Sequence, residues 1–114
     1  SMMTPTMVTQ KNGDLEFIAG SGGAGRIPFA IGQVIFQLYE KQKNLRQSTE
    51  QSRVHFQEEK FQIEKGFDFS LKKENTVFWK NQAMYFGGVH SIFNDGKKLD
   101  AIGDSRRFGV AEVF

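Results

Sequence analysis

The sequence contains no cysteine. That excludes disulfides, thiolate nucleophiles and Cys-based zinc sites, and it leaves the redox compartment open. No stretch approaches the eighteen or so consecutive apolar residues of a membrane-spanning helix. No leader-like segment opens the chain, an observation without weight for an internal piece of a longer protein. The 15 Lys and Arg residues are interleaved with 13 Asp and Glu, for a net charge of +2. No basic stripe with interleaved aromatics remains to argue for nucleic acid. No internal repeat and no linker is visible.

The composition is that of a folded chain, with 25% charged and 39% hydrophobic residues in 114 positions, a length that suits one domain over 1–114. Phenylalanine is the unusual entry, at 12 residues. That is much apolar surface for a modest core, and part of it is expected to face a partner.

Periodicity and turn chemistry set out the elements. Thr6–Thr9 reads as a strand, Asn12-Gly13-Asp14 as a hairpin turn, and Leu15–Ala19 as the return strand with Leu15, Phe17 and Ala19 on one face. A glycine-rich loop follows, Gly20-Ser21-Gly22-Gly23-Ala24-Gly25-Arg26. Pro28 fits the first turn of a helix that runs to about Gln42, with Ile27, Ile31, Val34, Ile35 and Leu38 at helical spacing. A short helix is expected over Leu45–Gln51, and strands over Arg53–Gln57, Phe61–Glu64, Thr76–Lys80, Met84–Asn94 (interrupted by Gly87-Gly88) and Leu99–Ile102. Phe67–Asn75 is ambiguous, with one helical turn as an option. The class is α+β.

The glycine loop carries the most chemistry. Glycine lets backbone approach a ligand closely, and the first N–H groups of a helix have no internal partner and favour negative charge. Three readings are open: a plain strand-to-helix turn, a nucleotide or anion site using Gly20–Gly25, and an oxyanion hole with the Gly23 and Ala24 N–H groups as donors. Gly20, Gly22 and Gly25 satisfy G-x-G-x-x-G. However, the strand before them carries Glu16, and the place about 20 residues on, where the dinucleotide fingerprint wants an acid at the end of a second strand, falls in the helix and its exit. No Lys-Ser or Lys-Thr follows, so the phosphate-loop pattern fails as well.

The landmarks in order resemble the C-terminal part of the small subunit of gamma-glutamyltransferases. Met3-Thr4-Pro5-Thr6 is similar to the family's S-S-M-S-P-T, Gly20–Ile27 to G-S-P-G-G-S-R-I, and Arg53-Val54-His55 to P-R-F-H. Glu64-Lys65-Gly66-Phe67 is similar to V-E-K-G-F, Gly88–Ile92 to G-x-V-H-A-I, and Gly103–Arg107 to A-D-P-R-R. The resemblance spans nearly the whole chain.

It implies a fragment of an Ntn-hydrolase-type αββα sandwich, with antiparallel strands, one long helix and one short helix. It implies transfer or hydrolysis of γ-glutamyl groups from glutathione-type donors by an N-terminal threonine. It assigns the oxyanion hole to Gly23 and Ala24, and no cofactor is expected. The implied partners are the large subunit and the N-terminal part of the small subunit, with a γ-glutamyl substrate. The implied location is periplasmic, secreted or cell-surface.

The chain departs from the family pattern in several places. It has no Thr-Thr-His, so it is expected to be inactive alone. Ala24 stands where the family has glycine, which matters if that position needs positive φ. Of the two serines that grip substrate, only Ser1 has a counterpart, and Ser1-Met2 reads as an addition before a start at Met3. Self-association through the exposed apolar surface is expected. His55 and His90 are read as packing or surface residues, Glu58, Glu59 and Glu64 as solvated acids, and Asp104–Arg107 as a charged turn. Arg26, a cation at a helix N-terminus, is expected to have a carboxylate partner, within this chain or on the rest of the parent protein.

Overall fold

A computed structural model describes residues 3–68 and 75–114. Strands β1 (Thr6–Thr9) and β2 (Leu15–Gly20) form the first hairpin. Its loop is closed by Gly13 N–H on Gln10 O and by Asp14 N–H on the Asn12 side chain, the local bonding that makes Asn-Gly-Asp a turn. Helix α1 (Ile27–Ile35) follows, with Pro28 in its first turn. It continues as a π-helical turn over Phe36–Glu40, in which Lys41 N–H reaches back to Phe36 O at 3.1 Å. The long helix is therefore shorter in its regular part than the apolar period predicts.

Helix α2 (Leu45–Glu50) is opened by a capping box between Asn44 and Gln47, which satisfies two orphan N–H groups at once. The remaining strands are β3 (Val54–Gln57), β4 (Lys60–Ile63), β5 (Thr76–Phe78), β6 (His90–Asn94) and β7 (Leu99–Ile102). Of Phe67–Asn75, residues 69–74 lie outside the described residues, as do Ser1 and Met2.

Two sheets form. One has the order β1-β2-β6-β7 and is antiparallel throughout. The other has the order β3-β4-β5, with β3–β4 antiparallel and β4–β5 parallel. In the four-stranded sheet the side chains alternate as a strand period requires. Phe17 and Ala19 of β2 and Ile102 of β7 face the helices, and with Val89 they pack on Ile27, Ala30, Ile31 and Val34 of α1, on Leu38 and on Leu45. Burying each large member contributes about 1.5–3 kcal/mol. The pairings Met7↔Ile18↔Ile92↔Ala101 put those four residues on the opposite face. There Met7 and Ile92 are 65% and 46% exposed.

Met84–Phe86 is one turn of 3-10 helix, not the start of a strand. Gly87 then takes φ +89°, and β6 begins only at His90. The three carbonyls of that turn are each taken by an arginine and so are not free for a strand ladder.

Candidate functional site

The glycine loop joins β2 to α1. Gly23 has φ +125°, a value that L side chains rarely adopt, and Ala24 follows at φ +53°. The sequence does place an L-residue in the left-handed region, where a Cβ costs roughly 1–2 kcal/mol. Ala24–Arg26 then makes a 3-10 turn, with Arg26 N–H on Gly23 O at 3.0 Å, and runs directly into α1 at Ile27. Among the described residues, the N–H groups of Gly23 and Ala24 donate to no protein acceptor. Two unpaired donors therefore sit where the positive end of the helix backs them. Ala24 is exposed and Gly23 half-buried. Ser1 lies outside the described residues.

Beneath the loop lies the Met84–Gly88 turn. Arg107 donates to Met84 O at 3.0 Å, Arg26 to Tyr85 O at 2.7 Å, and Arg53 to Phe86 O at 2.9 Å. Three consecutive carbonyls are satisfied by three arginines from distant parts of the sequence, so they cannot join a strand ladder. Arg26 also lies 4.2 Å from the centre of the Tyr85 ring, a cation–π contact. Among the described residues no carboxylate of this chain meets Arg26; a carbonyl and an aromatic face do.

Arg53 belongs to a second constellation. Its Nη2 donates to Asp104 Oδ2 at 2.8 Å. Arg106 donates to Glu64 Oε1 at 2.6 Å and to Asp104 Oδ1 at 3.1 Å. All four side chains are almost wholly buried. Glu64 also accepts the Arg53 and Ala83 N–H groups, and Asp104 accepts those of Val89 and Arg106. Burial pushes the Asp104 carboxyl up, but the flanking Arg53 and Arg106 charges and these N–H groups more than offset it and hold it below the usual carboxylate range. Burial and then the like charge of Arg106 lower Arg53. For Arg106 the desolvation is outweighed by Glu64 and Asp104, and its value rises.

Glu64 is thus a buried, fully engaged acid, not a solvated one, and Asp104–Arg107 is a structural hub rather than a surface turn. Sequence reasoning missed both because the partners are 42 and 51 positions apart. The available signal was that Arg53, Glu64, Asp104 and Arg106 all fall inside the short motifs that carry the family resemblance.

Glu58 and Glu59 are exposed at the β3–β4 turn. His55 is buried against Phe29 and Tyr85, with ring centroids at 5.2 and 6.2 Å, and its Nε2 meets Gln57 Oε1 at 3.1 Å. His90 accepts the Asp104 N–H at Nδ1, 3.1 Å away. Among the described residues no group of three or more His, Cys, Asp or Glu is placed to hold a metal ion. An apolar groove of 560 Å³ is lined by α1 and the β3–β4 hairpin, including Phe29, Phe36, Phe56 and Phe61. It does not involve the glycine loop.

The fold matches solved enzymes over 94–100% of the chain. A gamma-glutamyltranspeptidase from Pseudomonas nitroreducens complexed with L-DON matches with a TM-score of 0.81 and 24% identity, over 100% of this chain and 63% of that one. The Bacillus anthracis transpeptidase enzyme CapD matches at 0.78 and 22%, over 99% and 71%. A Helicobacter pylori gamma-glutamyltranspeptidase mutant matches at 0.76 and 25%, over 94% and 62%. No curated protein sequence matches the chain. The chain spans 62–63% of the Pseudomonas chains it resembles.

These likenesses define the class: an α+β chain that forms part of an Ntn-hydrolase-type αββα sandwich. The profile of the Gamma-glutamyltranspeptidase family matches residues 1–114. The chain belongs to the gamma-glutamyltranspeptidase family.

Proposed function

We propose that this chain supplies the oxyanion-stabilising part of an enzyme that transfers or hydrolyses γ-glutamyl groups from glutathione-type donors. The observation that carries the reading is the pair of unpaired N–H groups on Gly23 and Ala24, at the positive end of α1, in a chain of this family. In the parent protein an N-terminal threonine, which this sequence lacks, attacks the γ-glutamyl carbonyl, and its own α-amino group takes the hydroxyl proton. The carbonyl oxygen becomes an oxyanion and receives the two N–H groups, which are aimed before charge develops and need no reorganisation. Collapse expels the amine with a proton and leaves an acyl-enzyme, which water or an amino acid then resolves. The partners are the large subunit and the N-terminal part of the small subunit. The piece described here is one domain and is inactive by itself.

The test uses the parent enzyme with its small subunit labelled with nitrogen-15. A γ-glutamyl boronate adduct places a tetrahedral anion at the site. The Gly23 and Ala24 amide protons should move downfield, and unmoved amides would overturn the reading. The rival, an anion- or nucleotide-binding module using Gly20–Gly25, calls for the same amides of the isolated chain to respond to ATP at micromolar concentration. The isolated chain should not turn over a γ-glutamyl anilide, and stoichiometric acylation of it would sink the fragment reading.

A further inference from the structure

The segment that presents the two N–H groups has little holding it from within. Gly22, Gly23 and Gly25 have no side chains, Ala24 has only a methyl, and glycine-rich backbone has much conformational freedom to lose. The Arg107 guanidinium lies against Gly22 and Gly23, and hydrogen bonds hold the segment at its two ends. At the exit, Arg26 is fixed to Tyr85 by a 2.7 Å bond to its carbonyl and by its ring. At the entrance stands Ser21. Its hydroxyl donates to Gly22 O at 2.8 Å and accepts the Gly88 N–H at 3.1 Å. Both ends thus rest on the same Met84–Gly88 turn. The turn is itself held by the arginines, and it fits the loop closely. A Cβ on Gly87 would come within 2.9 Å of both Ser21 Oγ and Ala30 Cβ.

We propose that Ser21 is a positioning residue for acyl transfer: its hydroxyl latches the glycine loop to Gly88, and that contact fixes where the Gly23 and Ala24 N–H groups point. This rests on the oxyanion reading above. The hydroxyl is suited to the task because it donates and accepts at once, so one side chain ties two backbone segments 67 positions apart. Alanine removes the tie and leaves Gly88 N–H without its acceptor. The loop would then sample poses in which the donors miss the oxyanion. Such donors act on charge that appears only in the transition state, so the loss falls on kcat and spares KM. Since misplacement by 1 Å can cost a hundredfold, a loosened latch should cost about tenfold.

The experiment compares wild-type parent enzyme with Ser21→Ala and Ser21→Thr, using a γ-glutamyl anilide and the boronate adduct. Support is a kcat about tenfold lower in Ser21→Ala with KM within twofold, near-complete recovery in Ser21→Thr, and a smaller downfield shift of Gly23 and Ala24 in the alanine variant. A Ser21→Ala kcat within twofold of wild type, with the wild-type amides shifting on adduct formation, overturns the latch and leaves the oxyanion reading standing. Wild-type amides that do not shift overturn both. Equal impairment of the alanine and threonine variants also overturns the latch. Should Ser21→Ala not fold, Ser21→Cys keeps the shape of the side chain, slightly enlarged, and weakens the acceptor, and an unchanged kcat there overturns the proposal.

Discussion

Ser91 lies between Ala19 and Ile102 on the inner face of the four-stranded sheet, and its hydroxyl has no hydrogen-bond partner among the described residues. A buried hydroxyl in that state costs about 1–3 kcal/mol of desolvation. Ser91→Ala should therefore stabilise the chain by about 1 kcal/mol, read as a higher urea midpoint at unchanged slope. The buried charges behave oppositely. Arg106→Ala strands Glu64 and Asp104 without their shared cation, and loss of one partner of a buried pair costs about 3–5 kcal/mol. Equilibrium denaturation measures that directly. Asp104 also fixes a pH dependence. Its carboxyl is held below the usual range in the fold, so the stability it contributes is full above the unfolded value near pH 4 and is lost as pH falls through the lower folded value. The stability gap between wild type and Asp104→Asn should narrow as pH drops below about 4.

The β3–β4 hairpin turns through Glu58 and Glu59 at φ +52° and +62°, with Gln57 paired to Lys60. That is a two-residue turn of the I′ kind, which favours Asn-Gly. Glu59→Gly should raise stability by about 0.5–1 kcal/mol, since glycine removes the left-handed penalty at some cost in unfolded-state entropy. A thermal melt checks it. Gly87→Ala should do the reverse: φ is +89° and a methyl meets Ala30 and Ser21 at 2.9 Å, for a loss of about 2 kcal/mol or more.

These elements also mark what the sequence could disclose. Asn12-Gly13-Asp14, Pro28 and the apolar stripe of α1 are local signals with local causes, and the structure has the hairpin and helix where they fall. The Met84–Phe86 turn was not legible, because an apolar aromatic run looks like a strand until Arg26, Arg53 and Arg107 claim its carbonyls. The loop was legible as a loop. The unpaired state of its donors depends on contacts with residues 84–88, which no short window of sequence contains.

At the scale of the molecule, the chain exposes 7813 Å², against about 6,300 Å² for a compact monomer of its mass. Its radius of gyration is 14.6 Å, against roughly 13.3 Å for that length. Part of that surface is the extended C-terminal segment, with Phe108, Val110 and Phe114 exposed, and part is the outer face of the four-stranded sheet, where Met7 and Ile92 are exposed beside Ile18 and Ala101. The isolated chain should self-associate as its concentration rises, and Ile92→Lys should suppress this in sedimentation velocity. A wild-type chain that stays monomeric at high concentration would refute the expectation. The buried charge hub has a consequence for synthesis. Glu64 leaves the ribosome 42 residues ahead of Arg106, roughly 2–8 s earlier at ordinary elongation rates. Through that interval the Arg53 and Glu64 side chains lack the partners that neutralise them in the finished fold. The four-charge hub can therefore close only after Asp104 and Arg106 have been made. A chain whose synthesis stops before Asp104 leaves Arg53 and Glu64 without those two partners, and burying either charge there is costly.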